Sequence, residues 1–199
     1  HSLRAMRIDD GTVRTFSADE CRFGYRESVF KRELAGQFII TSVTLRLSRS
    51  AKINTSYGAI ATELADMGIS SPTIADVSRA VIRIRQSKLP DPAVLGNAGS
   101  FFKNPVVSHE KYEELRSRFP DMPSYPAPDG VKLAAGWLIE QCGWKGKRVG
   151  STGCHAQQAL VIVNYGGATG HEIHQHSLNV VLSVTDRFGV ELEREVNLF

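Results

Sequence analysis

Apolar positions in the first fifty residues fall in short, nearly alternating runs, the pattern of strands that bury one face. Leu3 to Ile8 and Thr12 to Phe16 flank Asp9-Asp10-Gly11, which predicts a hairpin turning at the acidic-glycine step. A longer β-branched run from Gln37 to about Leu47 predicts a third strand. Residues 48–58 are polar and predict a loop. Beyond them the period changes. Ile74, Val77, Val81 and Ile84 recur at helical spacing behind Ser71-Pro72, which predicts an N-cap with proline at the first helical position, and Pro90 ends the run.

Further along, His109 to Arg118 predicts a short helix and Pro120 to Pro128 a proline-rich connection. Val131 to Cys142 predicts a helix stopped by Gly143, and Ala159 to Val163 a buried strand. Thr169 with Glu172 forms a capping-box pattern that opens a helix through Ile173, Val180, Val184 and Phe188 to Gly189. Val190 to Leu198 predicts a last strand. Strands followed by mixed helices and strands, without regular βαβ alternation, predict the α+β class.

Composition narrows the picture modestly. At 199 residues the chain can bury one sizeable core or two smaller ones, and 42% hydrophobic with 23% charged residues is ordinary for a globular protein. The net charge of +3 is mild and spread along the chain, so a nucleic-acid partner is not expected while anionic phosphates remain compatible. Cys21, Cys142 and Cys154 are odd in number and far apart, which predicts neither a disulfide framework nor a CxxC metal site. The longest apolar run is too short to cross a membrane and no secretory segment opens the chain, so a cytoplasmic location is expected. His1 is not an initiator methionine and the last residues read as strand; both suggest an excised piece of a larger protein.

The densest candidate chemistry lies in Gly96-Asn97-Ala98-Gly99-Ser100-Phe101-Phe102-Lys103-Asn104-Pro105. Two glycines permit a sharp turn or close approach to a ligand, and a hydroxyl, an ammonium and an amide follow at once. On the residues alone Ser100 reads either as a presented hydroxyl or as a turn serine bonding backbone groups. This run resembles the signature of the UDP-N-acetylenolpyruvoylglucosamine reductases. The likeness extends in consistent order from about Phe23 to Val196, including Lys132 to Ile139, expected as a core helix of the substrate domain. It implies FAD as cofactor, NADPH as hydride donor, and reduction of UDP-N-acetylglucosamine enolpyruvate to UDP-N-acetylmuramate for peptidoglycan synthesis. The implied divisions are 1–50 as the end of a flavin lobe, 51–90 as a tyrosine loop and helix, 91–188 as the substrate domain, and 189–199 as a return strand.

The resemblance also implies roles for individual residues. Arg26, in Gly24-Tyr25-Arg26-Glu27-Ser28, would polarise the enolpyruvyl group, Ser100 would donate the proton, and Glu195, in Leu192-Glu193-Arg194-Glu195-Val196, would assist. Tyr57 and Lys88 would contact the diphosphate, a mobile tyrosine being the mark of the type I branch, with Asn104 and Gln158 as further sugar-nucleotide contacts. Bland alternatives stand beside each: Arg26 paired to Glu27, an acidic solvated face for Glu191, Glu193 and Glu195, and a lysine at a helix end complementing the dipole. Arg194 and Asn197 depart from the family pattern, which usually has proline and arginine there.

Most of the flavin lobe is expected upstream of this sequence, leaving the chain inactive alone, with Arg26 and Glu195 poorly positioned on orphaned pieces. Gly150-Ser151-Thr152-Gly153 and Gly166 to Gly170 are expected to lack the strand-to-helix context of a dinucleotide fingerprint. His171, His174 and His176 are spaced by three and two, unlike zinc ligands at i and i+4, and predict a solvated helix face without a metal. A non-catalytic nucleotide-sugar-binding module is the competing class, and a hydrolase built on Ser100, which lacks a Gly-x-Ser-x-Gly elbow, ranks third.

Overall fold

Alternation at the start of the chain produces the expected hairpin. In the computed structural model, which describes residues 1–198, β1 (Ser2–Arg7) and β2 (Val13–Ser17) pair antiparallel with Leu3 opposite Phe16. Asp10 Oδ1 accepts the Thr12 N–H at 2.9 Å, and Gly11 supplies the left-handed φ of 70° that closes the turn. β3 (Phe38–Thr44) pairs along the other edge of β1. It is shorter than expected because Ser2, where β1 begins, already lies opposite Thr44; Leu45 and Leu47 stay exposed. A capping box between Ser17 and Glu20 opens the single-turn helix α1 (Ala18–Cys21), and a 3₁₀ turn spans Val29–Lys31. Leu3, Ala5, Phe16 and Cys21 form a small core, with Phe30 and Phe38 edge-on to Phe16 at 5.0 and 5.4 Å. These residues belong to the first of two units, His1–Lys52; the second is Ile53–Phe199.

The second unit begins with a helical pair, α2 (Ile60–Asp66) and α3 (Ile74–Lys88), which buries Ile60, Leu64 and Ala80 between them. α2 has no counterpart in the sequence reading. α3 is capped by Thr73, not Ser71: the Thr73 hydroxyl accepts the Asp76 N–H while the Asp76 carboxylate accepts from Thr73 in return. These Thr73 hydrogen bonds hold the Asp76 carboxyl below its usual range. The apolar stripe is rotated accordingly, so Val77, Val81 and Ile84 pack inward while Ile74 is exposed.

Two antiparallel sheets follow. β4 (Gly96–Ser100), β8 (Arg148–Val149), β9 (Thr152–Cys154) and β10 (Val161–Asn164) form one in the order β4-β10-β9-β8. β5 (Val106–Val107), β6 (Ser124–Ala127) and β7 (Gly130–Leu133) form the other in the order β5-β7-β6. Three helices complete the unit: α4 (His109–Arg118), α5 (Ala135–Gln141) and α6 (Gly170–Phe188). α4 and α6 have the expected limits, and α6 opens on the Thr169–Glu172 box and closes at Gly189 with φ 62°. Phe102, Leu115, Leu133, Leu138, Ile139, Val180, Val184 and Phe188 are fully buried in one core. The class is α+β.

Two expected elements are different. The helix expected over Val131 to Cys142 is strand first and helix second, so Lys132 and Leu133 lie in β7 and α5 starts at Ala135. Gly130 explains the break. Its φ is 143°, and a Cβ there would sit 2.2 Å from the Val107 carbonyl oxygen, so the chain enters β7 extended and pressed against β5. Pro126, lacking an N–H, sits on the edge strand β6. The final strand expected over Val190 to Leu198 is an extended tail, attached by backbone bonds described below.

Candidate active site

β4 carries Ser100 to the edge of its sheet, with Ser100 opposite Val161 of β10. The turn before it is closed by Asn97, whose Oδ1 accepts the Gly99 N–H at 3.0 Å while its amide donates to Leu95 O at 2.8 Å. Gly99 has φ 73°, which a side chain would disfavour, so this glycine is required by the turn. The chain then runs between two neighbours. Phe101 N–H donates to Leu160 O at 2.8 Å on one flank, and Phe101 O accepts the Glu195 N–H at 2.9 Å on the other. Phe102 bridges Arg194, and Lys103 N–H donates to Glu193 O at 2.8 Å. The segment bearing Ser100 and the segment bearing Glu195 are therefore backbone neighbours. Ser100 is exposed and Glu195 half-buried.

The tail alternates as a strand would. Leu192 is buried and Val196 packs on the core, whereas Glu191 and Glu193 face outward. This corrects the expectation that Glu195 lies on an unsupported piece: its tail is part of the second unit.

Asn104 and Gln158 each reach the start of α5. Asn104 Oδ1 accepts the Ala135 N–H at 2.9 Å, satisfying a backbone donor of that helix. Gln158 Oε1 lies 3.4 Å from the Leu160 N–H, and 3.3 Å from where a Cβ on Gly136 would be. Lys88 is the exposed last residue of α3. Next to it is a cleft of about 490 Å³ whose walls include Arg85, Leu89, Pro92, Asn97 and Gly99. The cation on that wall is Arg85, which the sequence reading did not single out; its position one turn before Lys88, in the same helix end, was the available signal. Tyr57 is 83% exposed in the loop before α2.

Arg26 belongs to the first unit. It sits in a tight turn, Gly24 N–H donating to Glu27 O at 2.9 Å and Glu27 N–H to Gly24 O at 3.3 Å. Its φ of 57° is uncommon for a side-chain-bearing residue and marks local strain. The guanidinium lies 5.4 Å from the Tyr25 ring centroid, and Glu27 pairs with Arg32 at 2.8 Å.

The histidines of α6 are a correction. His171 is exposed, but His176 is buried, with Nδ1 2.9 Å from Thr152 Oγ1, Nε2 3.5 Å from Cys154 Sγ, and its ring edge-on to Trp144 at 5.1 Å. The Thr152 hydroxyl donates to Val149 O at 2.9 Å, so it accepts from Nδ1–H, leaving Nε2 to accept from the thiol. Burial first, then the Lys147 ammonium, lowers the His176 pKa. Burial pushes the Cys154 thiol up to about 12. His174 Nε2 is buried without a hydrogen-bond partner among the described residues. No group of three or more His, Cys, Asp and Glu among the described residues has metal-holding geometry.

Residues 91–199 match the family described as UDP-N-acetylenolpyruvoylglucosamine reductase, C-terminal domain, more than half of the chain. The chain belongs to that reductase family. Among curated reductases of this name, that of Chromobacterium violaceum is 58% identical over 187 residues, covering 94% of this chain and 55% of the relative. That of Flavobacterium johnsoniae is 55% identical over 199 residues, covering 99% of this chain and 59% of the relative. The Pseudomonas aeruginosa reductase is 54% identical and covers 100% and 58% respectively. The chain thus spans little more than half the length of these relatives. A crystal structure of the UDP-N-acetylenolpyruvylglucosamine reductase from Thermus caldophilus superposes with a TM-score of 0.55 at 22% identity, covering 100% of this chain and 52% of that one. That likeness concerns the fold.

Within this member of the reductase family, the Gly166–Gly170 loop does join a strand to a helix, β10 to α6, contrary to expectation. Three of its backbone donors are already engaged: Asn164 Oδ1 accepts the Gly166 and Ala168 N–H groups at 2.9 and 3.1 Å, and Glu172 accepts the Thr169 N–H. The Gly150-Ser151 pair turns the β8–β9 hairpin. No helix among the described residues is long and apolar enough to cross a membrane.

Proposed function

We propose that this chain is the substrate-binding portion of an FAD- and NADPH-dependent reductase that converts UDP-N-acetylglucosamine enolpyruvate to UDP-N-acetylmuramate in the cytoplasm. The observation that carries the reading is the backbone pairing of the Ser100 segment with the Glu195 tail, which joins two sequence-distant candidates in one place. The chain spans little more than half the length of its reductase relatives, and we assign most of the FAD site to an N-terminal flavin lobe that completes the enzyme. Alone, the chain is expected to bind and not to turn over.

Reduction of an enolpyruvyl ether adds hydride to one alkene carbon and a proton to its neighbour, and charge develops on the adjoining carboxylate meanwhile. A guanidinium suits that charge, which is the role we assign to Arg26. Ser100 delivers the proton to the very basic carbon, and Glu195 assists from the neighbouring tail. We assign the diphosphate to Lys88 and Tyr57, and the orientation of the sugar nucleotide to Asn104 and Gln158 at the start of α5.

Rapid-mixing absorbance on the full-length enzyme tests this. Ser100→Ala should leave flavin reduction by NADPH unchanged while slowing reoxidation by the enolpyruvyl sugar roughly 10²- to 10⁴-fold, the usual worth of a positioned proton donor. Unchanged reoxidation would remove Ser100 from the mechanism.

A further inference from the structure

The tail that brings Glu195 to Ser100 is held by few backbone bonds, and its register decides which side chain faces the site. A slip of one residue would send Glu195 to the opposite face, since successive side chains alternate. Lys103 supplies a side-chain constraint on that register. Its backbone N–H donates to Glu193 O at 2.8 Å, and its ammonium pairs with Glu193 Oε1 at 2.5 Å. The two ends of the pair differ in setting: the Lys103 side chain is 11% exposed and that of Glu193 70%. A nearly buried ammonium demands a carboxylate, so the pairing is more selective than a surface one. A slip of one residue would put Arg194 or Leu192 in place of Glu193, setting the ammonium against a second cation or an apolar side chain.

We propose that Lys103 is a positioning residue of this reductase, which fixes the register of the C-terminal tail through Glu193 and so presents Glu195 beside Ser100. The proposal rests on the functional reading above. Glu193 and Glu195 are two residues apart and share a face. Tying Glu193 to Lys103 also keeps one of these two carboxylates engaged while the site receives an anionic substrate. Neither Lys103 nor Glu193 needs to touch the reacting atoms.

Two measurements test it, with Lys103→Met, which keeps the aliphatic stem, and Lys103→Arg, which keeps the charge. In the 199-residue chain, amide hydrogen exchange at Glu195 should accelerate roughly tenfold in Lys103→Met while amides of α6 keep their protection, and Lys103→Arg should recover most of the loss. In the full-length enzyme, Lys103→Met should lower kcat by about tenfold or more with little change in KM, because a displacement on the order of 1 Å is costly to chemistry. Unchanged exchange at Glu195 would overturn the register claim. Faster exchange with unchanged kcat would overturn the positioning role. Ser100→Ala in the same enzyme separates the two readings: if it too leaves kcat intact, the functional assignment has failed, and exchange alone decides the register.

Discussion

The buried imidazole of His176 ties α6 to the β8–β9 hairpin through Thr152 and Cys154. Its neutral form satisfies both neighbours, whereas protonation would turn Nε2 into a donor facing a thiol and place a cation near Lys147. With a folded pKa below the ordinary 6.5, the unfolded chain binds the extra proton first. The contribution of His176 is therefore complete above about pH 6.5 and is lost as pH falls toward the folded value. Denaturant unfolding of the chain should show stability falling in that window by up to about 1.4 kcal/mol per pH unit, and His176→Asn should remove that slope. A mutant with the wild-type slope would assign the dependence to another group. This residue was not legible beforehand. Spacings of three and two between the histidines say nothing about which of them meets a packed sheet, and burial is a tertiary property. Ser100 and Asn104 could be singled out from sequence because they lie in one contiguous run whose neighbours carry specific information.

Elements whose ends are fixed by local chemistry were the readable ones. α6 begins and ends as expected because a capping box and a left-handed glycine act within a few residues of the helix itself. Thr169→Ala should cost about 0.5–2 kcal/mol by removing the acceptor for the Glu172 N–H, measurable as a lower denaturation midpoint with unchanged slope. A loss near zero would mean that Glu172 and water replace the cap. Where ends depend on distant partners, the pattern misled. Val131 and Leu138 fit a helical period, yet Val131 pairs with Val107 and Pro126 in a sheet whose existence a local window does not reveal. The same cause applies to the tail, which is extended because Phe101, Phe102 and Lys103 bond it.

At the scale of the molecule, the separation at Lys52 and Ile53 lies within the polar stretch that the sequence marked as a loop. The substrate-side candidates then divide unevenly. Ser100, Asn104, Gln158 and Glu195 belong together in the second unit with Lys88 and Tyr57, while Arg26 belongs to the first. The second unit has its own large core and both of its sheets, so recognition of the sugar nucleotide is expected of the chain itself, even though turnover is not. Calorimetric titration of the 199-residue chain with UDP-N-acetylglucosamine enolpyruvate, repeated on Lys88→Ala, tests this most directly. Binding that weakens at least several-fold in the variant, the loss of about 1 kcal/mol or more expected for a charge-assisted contact, is the predicted result. Absence of binding by the intact chain, or equal binding by the variant, would contradict it.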